Sequence, residues 1–264
     1  MVQKSFGIYD EGDEGNSIFI EQGNNYLTVW RQDQHGRKTA LELFDVPLTG
    51  FSDSYEEILS ASRILNQEFS VVNCVLATPG AIIVPAEIYN PALGESALKL
   101  QFGLEGEVDY FKQEVEDKIV VAVYPAELLN KLSTYSVNLV HKYGLLLQNP
   151  QSEPTSARLC FYSKQFIFEL YKEGGLQLLR HFDFNEPADA LYHILSVFKQ
   201  LGIEPDSISV SAAGLLDTSS ALYNLLYQYL PDFSLETGEG DFPDESGFRN
   251  YPSHYFSTFS YREL

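Results

Sequence analysis

Residues 18–44 read IFIEQGNNYLTVWRQDQHGRKTALELF and place two short polar turns between three apolar runs. The first turn contains Gly23 followed by two asparagines, and the second turn contains Gly36. Aromatic and β-branched residues separated by short glycine-containing turns are typical of antiparallel strands. The stretch therefore predicts a three-stranded meander.

An amphipathic helix and a buried strand are predicted after this meander. Tyr55, Ile58 and Leu59 fall at helical spacing, and Asp53 is the predicted N-cap. The short apolar run over residues 71–77 predicts a buried strand. The first half thus has the order of three strands, a helix and a strand.

The second half repeats this order. Its three strand-like runs cover residues 159–162, 165–171 and 176–182. A helix with Pro187 in its first turn follows, and then the apolar run 208–213. The apolar stripe from Leu191 to Leu201 lies 136 positions after the stripe from Tyr55 to Leu65. We therefore predict an internal duplication with two similar subdomains.

The boundary between the two halves is predicted at the proline-containing linker near residue 150. We expect a first subdomain over 1–150, with an inserted, acidic and less regular segment near 93–117. The second subdomain, over 151–264, carries an acidic, glycine-rich loop over 234–249 and an aromatic tail. A tail this apolar is expected to pack on the body of the protein.

Charge and composition narrow the classes of partner. The chain has 37 acidic and 17 basic residues, so its formal net charge is −20. An acidic protein cannot neutralise a phosphate backbone or an anionic membrane surface, so we expect no nucleic-acid partner. No apolar run approaches about 18 residues, so no membrane insertion is predicted. The two cysteines, Cys74 and Cys160, have no metal-binding spacing, which favours a reducing cytoplasm.

Three segments carry a resemblance to a known family: VPAEIY at 84–89, VYPAELL at 123–129, and residues 211–223. The chain resembles an uncharacterised family of Bacteroidetes proteins, a domain of unknown function with an actin-like ATPase fold. The duplicated order of strands and helix is also that of the wider superfamily, which includes actin, sugar kinases and heat-shock ATPases. The resemblance implies an α/β chain with mixed sheets and the duplicated, ribonuclease H-like actin fold. It implies no activity, because a fold does not determine a function.

Active members of that superfamily bind phosphate and Mg²⁺ at an early D-x-G turn, and adenosine at a late glycine-rich segment. At the early turn this chain has Glu21 in place of the aspartate, and Gly23 is retained. In the late segment Gly214 remains where two glycines are usual. Glu21, Gly23 and Gly214 are therefore the candidate residues of a residual ATP and Mg²⁺ site. The alternative for the early turn is a plain hairpin with Gly23 and an asparagine at positive φ.

The second phosphate turn, expected near residues 162–165, departs further from the pattern. It has neither an acid nor a glycine, and the side chains of Ser163 and Lys164 would crowd a γ-phosphate. We therefore expect a pseudoenzyme with no catalytic or metal-binding residue and no required cofactor. Should the protein be an enzyme, an actin-like ATPase or phosphotransferase is expected.

Other catalytic motifs are absent from the sequence. It contains no GxxxxGK[ST], GxGxxG, HExxH or GxSxG segment. The five histidines are scattered, and none has a second histidine or cysteine at ligand spacing. The sequence therefore gives no further candidate active site.

The predicted function is a non-catalytic cytoplasmic interaction module or scaffold. Its 17 tyrosines and 18 phenylalanines suit contact surfaces, so a protein partner or self-association is expected. The alternative is a nucleotide-binding ATPase or switch with a reduced phosphate site. A hydrolase or sugar-binding protein whose site is hidden in the sequence also stays open.

Overall fold

The computed structural model describes residues 2–10, 17–47, 51–105, 109–150, 153–237 and 246–259. These residues form two compact units. The first unit runs from Val2 to Asn149 and includes Ser246 and Gly247. The second runs from Pro150 to Thr237 and includes residues 248–259.

The described part of the first unit contains both strands and α-helices. Its strands are β1 (Gln3–Tyr9), β2 (Ser17–Gln22), β3 (Tyr26–Gln32), β4 (Lys38–Asp45), β5 (Val71–Leu76), β6 (Ala81–Pro85), β7 (Tyr110–Val115), β8 (Lys118–Val123) and β9 (Ser136–His141). Its helices are α1 (Phe51–Ala61), α2 (Pro91–Phe102), α3 (Ala126–Lys131) and α4 (Lys142–Gln148).

A six-stranded mixed sheet is the centre of the first unit, in the order β1-β4-β3-β2-β5-β9. Strands β2, β3 and β4 are the antiparallel meander predicted from residues 18–44. Strands β5 and β9 continue the sheet beyond β2, and both of their pairings are parallel. Strand β1 pairs with β4 and was not predicted, because only Phe6 and Ile8 alternate as apolar residues in it.

One face of this sheet is covered by α1 and α3. The buried strand residues on that face are Ile18, Ile20, Leu27, Val29, Phe44, Val72, Cys74 and Leu76. Tyr55 and Ile58 of α1 pack there together with Leu128 of α3. Helix α1 begins at Phe51, so Asp53 lies inside the helix and not at the predicted N-cap.

The insertion near 93–117 contains regular structure in its described part. Strands β6, β8 and β7 form a separate three-stranded antiparallel sheet in that order. Helix α2 packs on this sheet by burying Leu98 against Ile119 and Val121. The helix begins after Asn90, whose side chain accepts from the Ala92 N–H, and ends at a left-handed glycine. The acidic residues described in this segment therefore lie on or next to a helix and a β-hairpin.

The second unit has a single five-stranded sheet in its described part. Its elements are β10 (Ser156–Phe161), β11 (Gln165–Lys172), β12 (Gly175–Asp183), α5 (Pro187–Leu201), β13 (Ser209–Gly214), α6 (Ala221–Tyr229), β14 (Phe233–Leu235) and α7 (His254–Ser257). The strand order β12-β11-β10-β13-β14 is the same as β4-β3-β2-β5-β9 in the first unit. The sheet topology therefore repeats, as the duplicated sequence pattern predicts.

Helices α5 and α6 cover the apolar face of the second sheet. Phe161, Phe166 and Phe168 are fully buried there with Phe198 of α5 and Leu226 of α6. A further segment, at the chain's aromatic end, places α7 against β13. The described aromatic residues of that end include Phe256 and Phe259, which are each 2% exposed.

The predicted acidic loop over 234–249 has regular structure at both ends. Strand β14 occupies Phe233–Leu235, and a 3₁₀ turn covers Gly247–Asn250. Residues 238–245 lie outside the described part of the chain. Within the ranges described, no helix is both long enough and apolar enough to cross a lipid bilayer.

Candidate functional site

The three candidate residues fall at two strand ends. Glu21 is the penultimate residue of β2, and Gly23 follows that strand directly. Both belong to the first unit, whereas Gly214 ends β13 in the second.

Glu21 is fully buried, and its carboxylate is occupied by two protein groups. The Tyr26 hydroxyl donates to Oε1 at 2.7 Å. The Lys142 ammonium donates to Oε2 at 3.3 Å, and the side chain of Lys142 is 1% exposed. An acid that organises a hydrated Mg²⁺ needs access to water, and this acid has an ammonium group against it instead.

The order of parallel strands explains why Lys142 reaches Glu21. Strands β2, β5 and β9 run parallel, with Gln22 beside Leu76 and Leu76 beside His141. The ends of the three strands therefore meet at one edge of the sheet. Lys142 is the residue after β9, so it lies at the same edge as Glu21 although 121 positions separate them.

Burial of this pair carries an electrostatic consequence. A buried charge is tolerated only when it is paired, because transfer of a lone ion out of water costs several kcal/mol. Lys142 therefore does for Glu21 what a bound cation would do. The ammonium and the carboxylate form a buried ion pair with no net charge.

Gly23 is needed for space and not for a left-handed backbone. A Cβ at this position would lie 1.9 Å from Cε1 of the Tyr26 ring, so the ring packs directly on the glycine. Gly23 N–H also donates to the Tyr26 carbonyl at 3.0 Å. Neither Gly23 nor the two asparagines of the turn has a positive φ, so that expectation is wrong. The turn is filled by a tyrosine of the same chain.

The second unit has an equivalent turn with different side chains. Its Tyr162 N–H donates to the Gln165 carbonyl, as Gly23 does to Tyr26. By this register, Tyr162 takes the place of the glycine, and Cys160 takes the place of Glu21. Cys160 is buried and forms no disulfide. The second turn therefore supplies no carboxylate at the position of the acid.

Lys164, which was expected to crowd a phosphate, is bound to the protein. Its ammonium donates to the Asn185 carbonyl at 3.1 Å, while Ser163 and Lys164 are both exposed. The carbonyl belongs to the segment that precedes α5. The lysine therefore links the hairpin turn to the entry of that helix.

Gly214 has a strict structural requirement. Its φ is +87°, and a Cβ there would lie 2.1 Å from the carbonyl oxygen of Phe161 on the neighbouring strand. That same oxygen accepts from the Leu215 N–H at 2.9 Å. A glycine is required at this strand end whether or not adenosine binds there.

Two residues near the first turn were not identified from the sequence. Tyr26 and Lys142 both contact Glu21, and only Lys142 leaves a signal, as a lone cation within the apolar run 137–147. His141 is also fully buried beside this position. Its Nδ1 accepts from the Tyr143 N–H, and its Nε2 lies 3.1 Å from the Thr78 carbonyl, so it caps α4. Burial lowers the pKa of His141 to about 4, which keeps the imidazole neutral.

A second buried ionic group lies on the sheet of the second unit. Glu169 is 1% exposed, and its Oε2 lies 3.3 Å from Nη1 of Arg158. The same guanidinium donates from Nε to Glu236 at 2.9 Å. Burial raises the pKa of Glu169 to about 7, against the opposing effect of Arg158.

The raised pKa of Glu169 predicts a stability that depends on pH. The unfolded carboxyl has a pKa of about 4.3, so between about pH 4.3 and 7 the folded state holds a proton that the unfolded state releases. Stability of the second unit should therefore fall as pH rises through this window. In Glu169→Gln, proton linkage should decrease by up to one proton. Urea denaturation between pH 5.5 and 7.5, monitored by hydrogen exchange of α5 amides, measures how the stability of the second unit depends on pH. Parallel curves of stability against pH for the variant and the wild type would contradict the prediction.

Metal-ligating side chains do not cluster in the described segments. No group of three or more histidine, cysteine, aspartate or glutamate residues with the proximity of a metal site is present among them. Cys74, which is fully buried in β5, has its pKa raised to about 12 by burial, which makes it an unreactive core thiol.

Comparisons with known proteins agree with this architecture. A family model described as "Protein of unknown function (DUF3822)" matches residues 17–233. No curated protein sequence matches the chain. A Bacteroides thetaiotaomicron protein with an actin-like ATPase fold and unknown function is similar in structure, with a TM-score of 0.71 and 13% identity over 83% of this chain and 90% of that one. A chain of the PilM–PilN type IV pilus biogenesis complex matches with a TM-score of 0.56 and 14% identity, over 92% and 96%.

These similarities show the fold and no more. The mixed sheets, their repeated order and the structural relatives confirm the predicted actin-like ATPase fold with two sheet-rich subdomains. The predicted resemblance to a family of unknown function with this fold is also confirmed.

Proposed function

The chain belongs to the DUF3822 family of proteins of unknown function, and we propose that it is a non-catalytic protein-interaction module built on the actin-like ATPase fold. The observation that carries this proposal is the buried contact of Lys142 with Glu21. In our proposal the Lys142 ammonium permanently supplies the positive charge that a bound metal ion would supply at the early phosphate turn.

Three details support the loss of nucleotide chemistry. The ring of Tyr26 lies over Gly23, where a phosphate would need free backbone N–H groups. The equivalent turn of the second unit has Tyr162 and Cys160 in place of glycine and acid. Glu21, Gly23 and Gly214 then each serve the fold, through an ion pair, a ring contact and a strand end. Under this proposal ATP and Mg²⁺ are not cofactors.

An interaction role is supported by the relatives and by the cysteines. A protein of this fold is found in the PilM–PilN complex, so the fold is compatible with binding another protein. Both cysteines of this chain are buried and neither forms a disulfide, which is typical of a protein in a reducing compartment. We therefore place the proposed module in the cytoplasm, with a protein partner.

A titration with ATP and Mg²⁺ tests the loss of the nucleotide site. A ligand at 100 times its Kd stabilises a protein by about 2.7 kcal/mol, which is a clear increase in Tm. We expect that millimolar ATP·Mg²⁺ leaves the Tm of the wild type unchanged. It should likewise leave the Tm of the double variant Glu21→Gln/Lys142→Met unchanged, compared with that variant without the ligand.

The opposite outcome is equally informative. A rise in wild-type Tm that the double variant loses would show that Glu21 still serves a nucleotide, and the chain would then be an ATP-binding switch. The interaction role has its own readout, which is crosslinking of the full chain in cells followed by size measurement. A monomer with no crosslinked partner would contradict it.

A further inference from the structure

We propose that the outer face of α2 is a docking site for a basic amphipathic helix of a partner protein. The inference rests on the proposed interaction function and names the surface and the chemistry of the partner. Ile88, Leu93 and Leu100 form the apolar part of this surface, which we call the α2 stripe.

Helix α2 is apolar on two opposite faces. Its inner face buries Leu98 and Gly94 against β8. Leu93 and Leu100 lie two helical turns apart on the other side, about 10 Å from each other. They are 49% and 88% exposed. Exposed leucines at this spacing on a helix mark a candidate contact surface.

A third exposed apolar side chain of the proposed surface lies in the turn before the helix. Ile88 belongs to the 3₁₀ turn Ala86–Ile88 and is 62% exposed. Between the two leucines the outward position is Ser96, a small residue that leaves the surface open. Two leucines at a spacing of seven with a small residue between them provide the seam into which a helix inserts side chains.

Acidic residues surround both ends of the stripe. Glu87 precedes Ile88, and Glu105 follows the end of α2, and both are exposed. The tip of the β7–β8 hairpin also reaches the first end, because the Asp117 carbonyl accepts from Ala86 N–H at 2.8 Å. Glu116 lies at that tip.

The lysines of this segment do not offset these charges. Each of them is paired with its own acid, in the ion pairs Lys99–Glu95, Lys112–Glu114 and Lys118–Asp117. Among the described residues of 81–118, no ion pair engages Glu87, Glu105 or Glu116. The surface is therefore an apolar ridge with unneutralised carboxylates at its ends.

Charge complementarity then selects the occupant. A helix with an apolar stripe and lysine or arginine at its flanks matches both features. A second copy of this chain would bring the same carboxylates and a net charge of −20. An anionic membrane would meet the same repulsion. The partner that fits is a cationic helix of another protein.

Binding of a synthetic probe tests the proposal on the full chain. The probe is a fluorescein-labelled 18-residue helix with leucine at i, i+3, i+4 and i+7 repeats and lysine elsewhere. A matched peptide carries glutamate at every lysine position. By fluorescence anisotropy we expect the basic peptide to bind at least tenfold more tightly than the acidic one, and less tightly as salt increases.

Variants of exposed residues locate the binding. Leu93→Ser/Leu100→Ser should lower the affinity for the basic peptide at least tenfold, because it removes both leucines of the α2 stripe and leaves the buried face of the helix unchanged. Glu87→Lys/Glu105→Lys should also lower the affinity for the basic peptide. This loss of affinity should be larger at low salt than at high salt. The matched control is Tyr227→Ser on α6, a residue that is 66% exposed, and it should change the affinity less than twofold. Unchanged circular dichroism melting of the leucine variant confirms that it folds.

Four outcomes would overturn the proposal. They are equal binding of both peptides, binding unaffected by the leucine variant, a dimer abolished by that variant, and vesicle binding abolished by it. Any of these leaves the loss of the nucleotide site standing, because the ATP·Mg²⁺ titration tests it separately. A response to ATP·Mg²⁺ would refute the proposed function even if the basic peptide binds.

Discussion

Lys142→Met lowers the free energy of unfolding of the first unit by about 3–5 kcal/mol, and its Tm by roughly 10 °C. Methionine keeps most of the length of the side chain but removes the ammonium from Glu21, which is fully buried. The carboxylate is then an uncompensated charge in the interior, which is the costly way to break a buried ion pair.

Urea denaturation monitored by tryptophan fluorescence measures the change in the free energy of unfolding of the first unit. Trp30 is the single tryptophan of the chain and is fully buried in β3, so its emission reports the first unit alone. The matched control is Glu21→Gln/Lys142→Met, which removes both charges and leaves an amide oxygen to accept from Tyr26. That double variant should recover most of the lost stability. A single variant within about 1 kcal/mol of the wild type would show that the ion pair does not govern this site.

Gly214→Ala destabilises the second unit by about 3 kcal/mol or more. A non-glycine residue at positive φ is strained by about 1–3 kcal/mol, and here the added methyl group also meets a backbone atom. The Phe161 carbonyl oxygen would lie 2.1 Å from the new Cβ, and it cannot move without breaking the β10–β13 pairing.

Gly174→Ala is the matched control for the strain alone. Gly174 has a φ of +78° in the turn between β11 and β12, and nothing lies within 4 Å of the position of its Cβ. It should cost about 1 kcal/mol. Hydrogen exchange of α5 and β10 amides compares the two variants in one unit. Equal effects of the two substitutions would show that the contact with Phe161 is unimportant.

The sequence predicts the repeated architecture because its signals are local. Short turns between apolar runs identify the meanders, and the helix stripes align at a constant separation. Helix α2 and strand β7 of the inserted segment were missed because α2 is apolar on both faces and β7 mixes charged residues with Phe111 and Val115. Strand β1 was missed because its own sequence has few alternating apolar residues. Its strand conformation is stabilised by pairing with β4, which the local pattern does not reveal.

The candidate site could be predicted only by position. Glu21, Gly23 and Gly214 were identified as the acid and glycines of an ATP site, and that assignment stays a prediction. What the pattern could not reveal is the partner of the acid, because Lys142 reaches Glu21 through the parallel order of three strands. Only the expected positive φ of Gly23 is wrong, since a glycine is needed there to leave space for the Tyr26 ring.

The contact of Glu21 with Lys142 also constrains the order of events during synthesis. A ribosome adds about 5–20 residues per second, so the 121 residues between them take roughly 6–24 s to appear. Until then Glu21 has no lysine to offset its desolvation, and β5 is an open strand edge awaiting β9. The first half of the nascent chain therefore passes through a period of exposed strand edges, in which chaperones would protect it from aggregation.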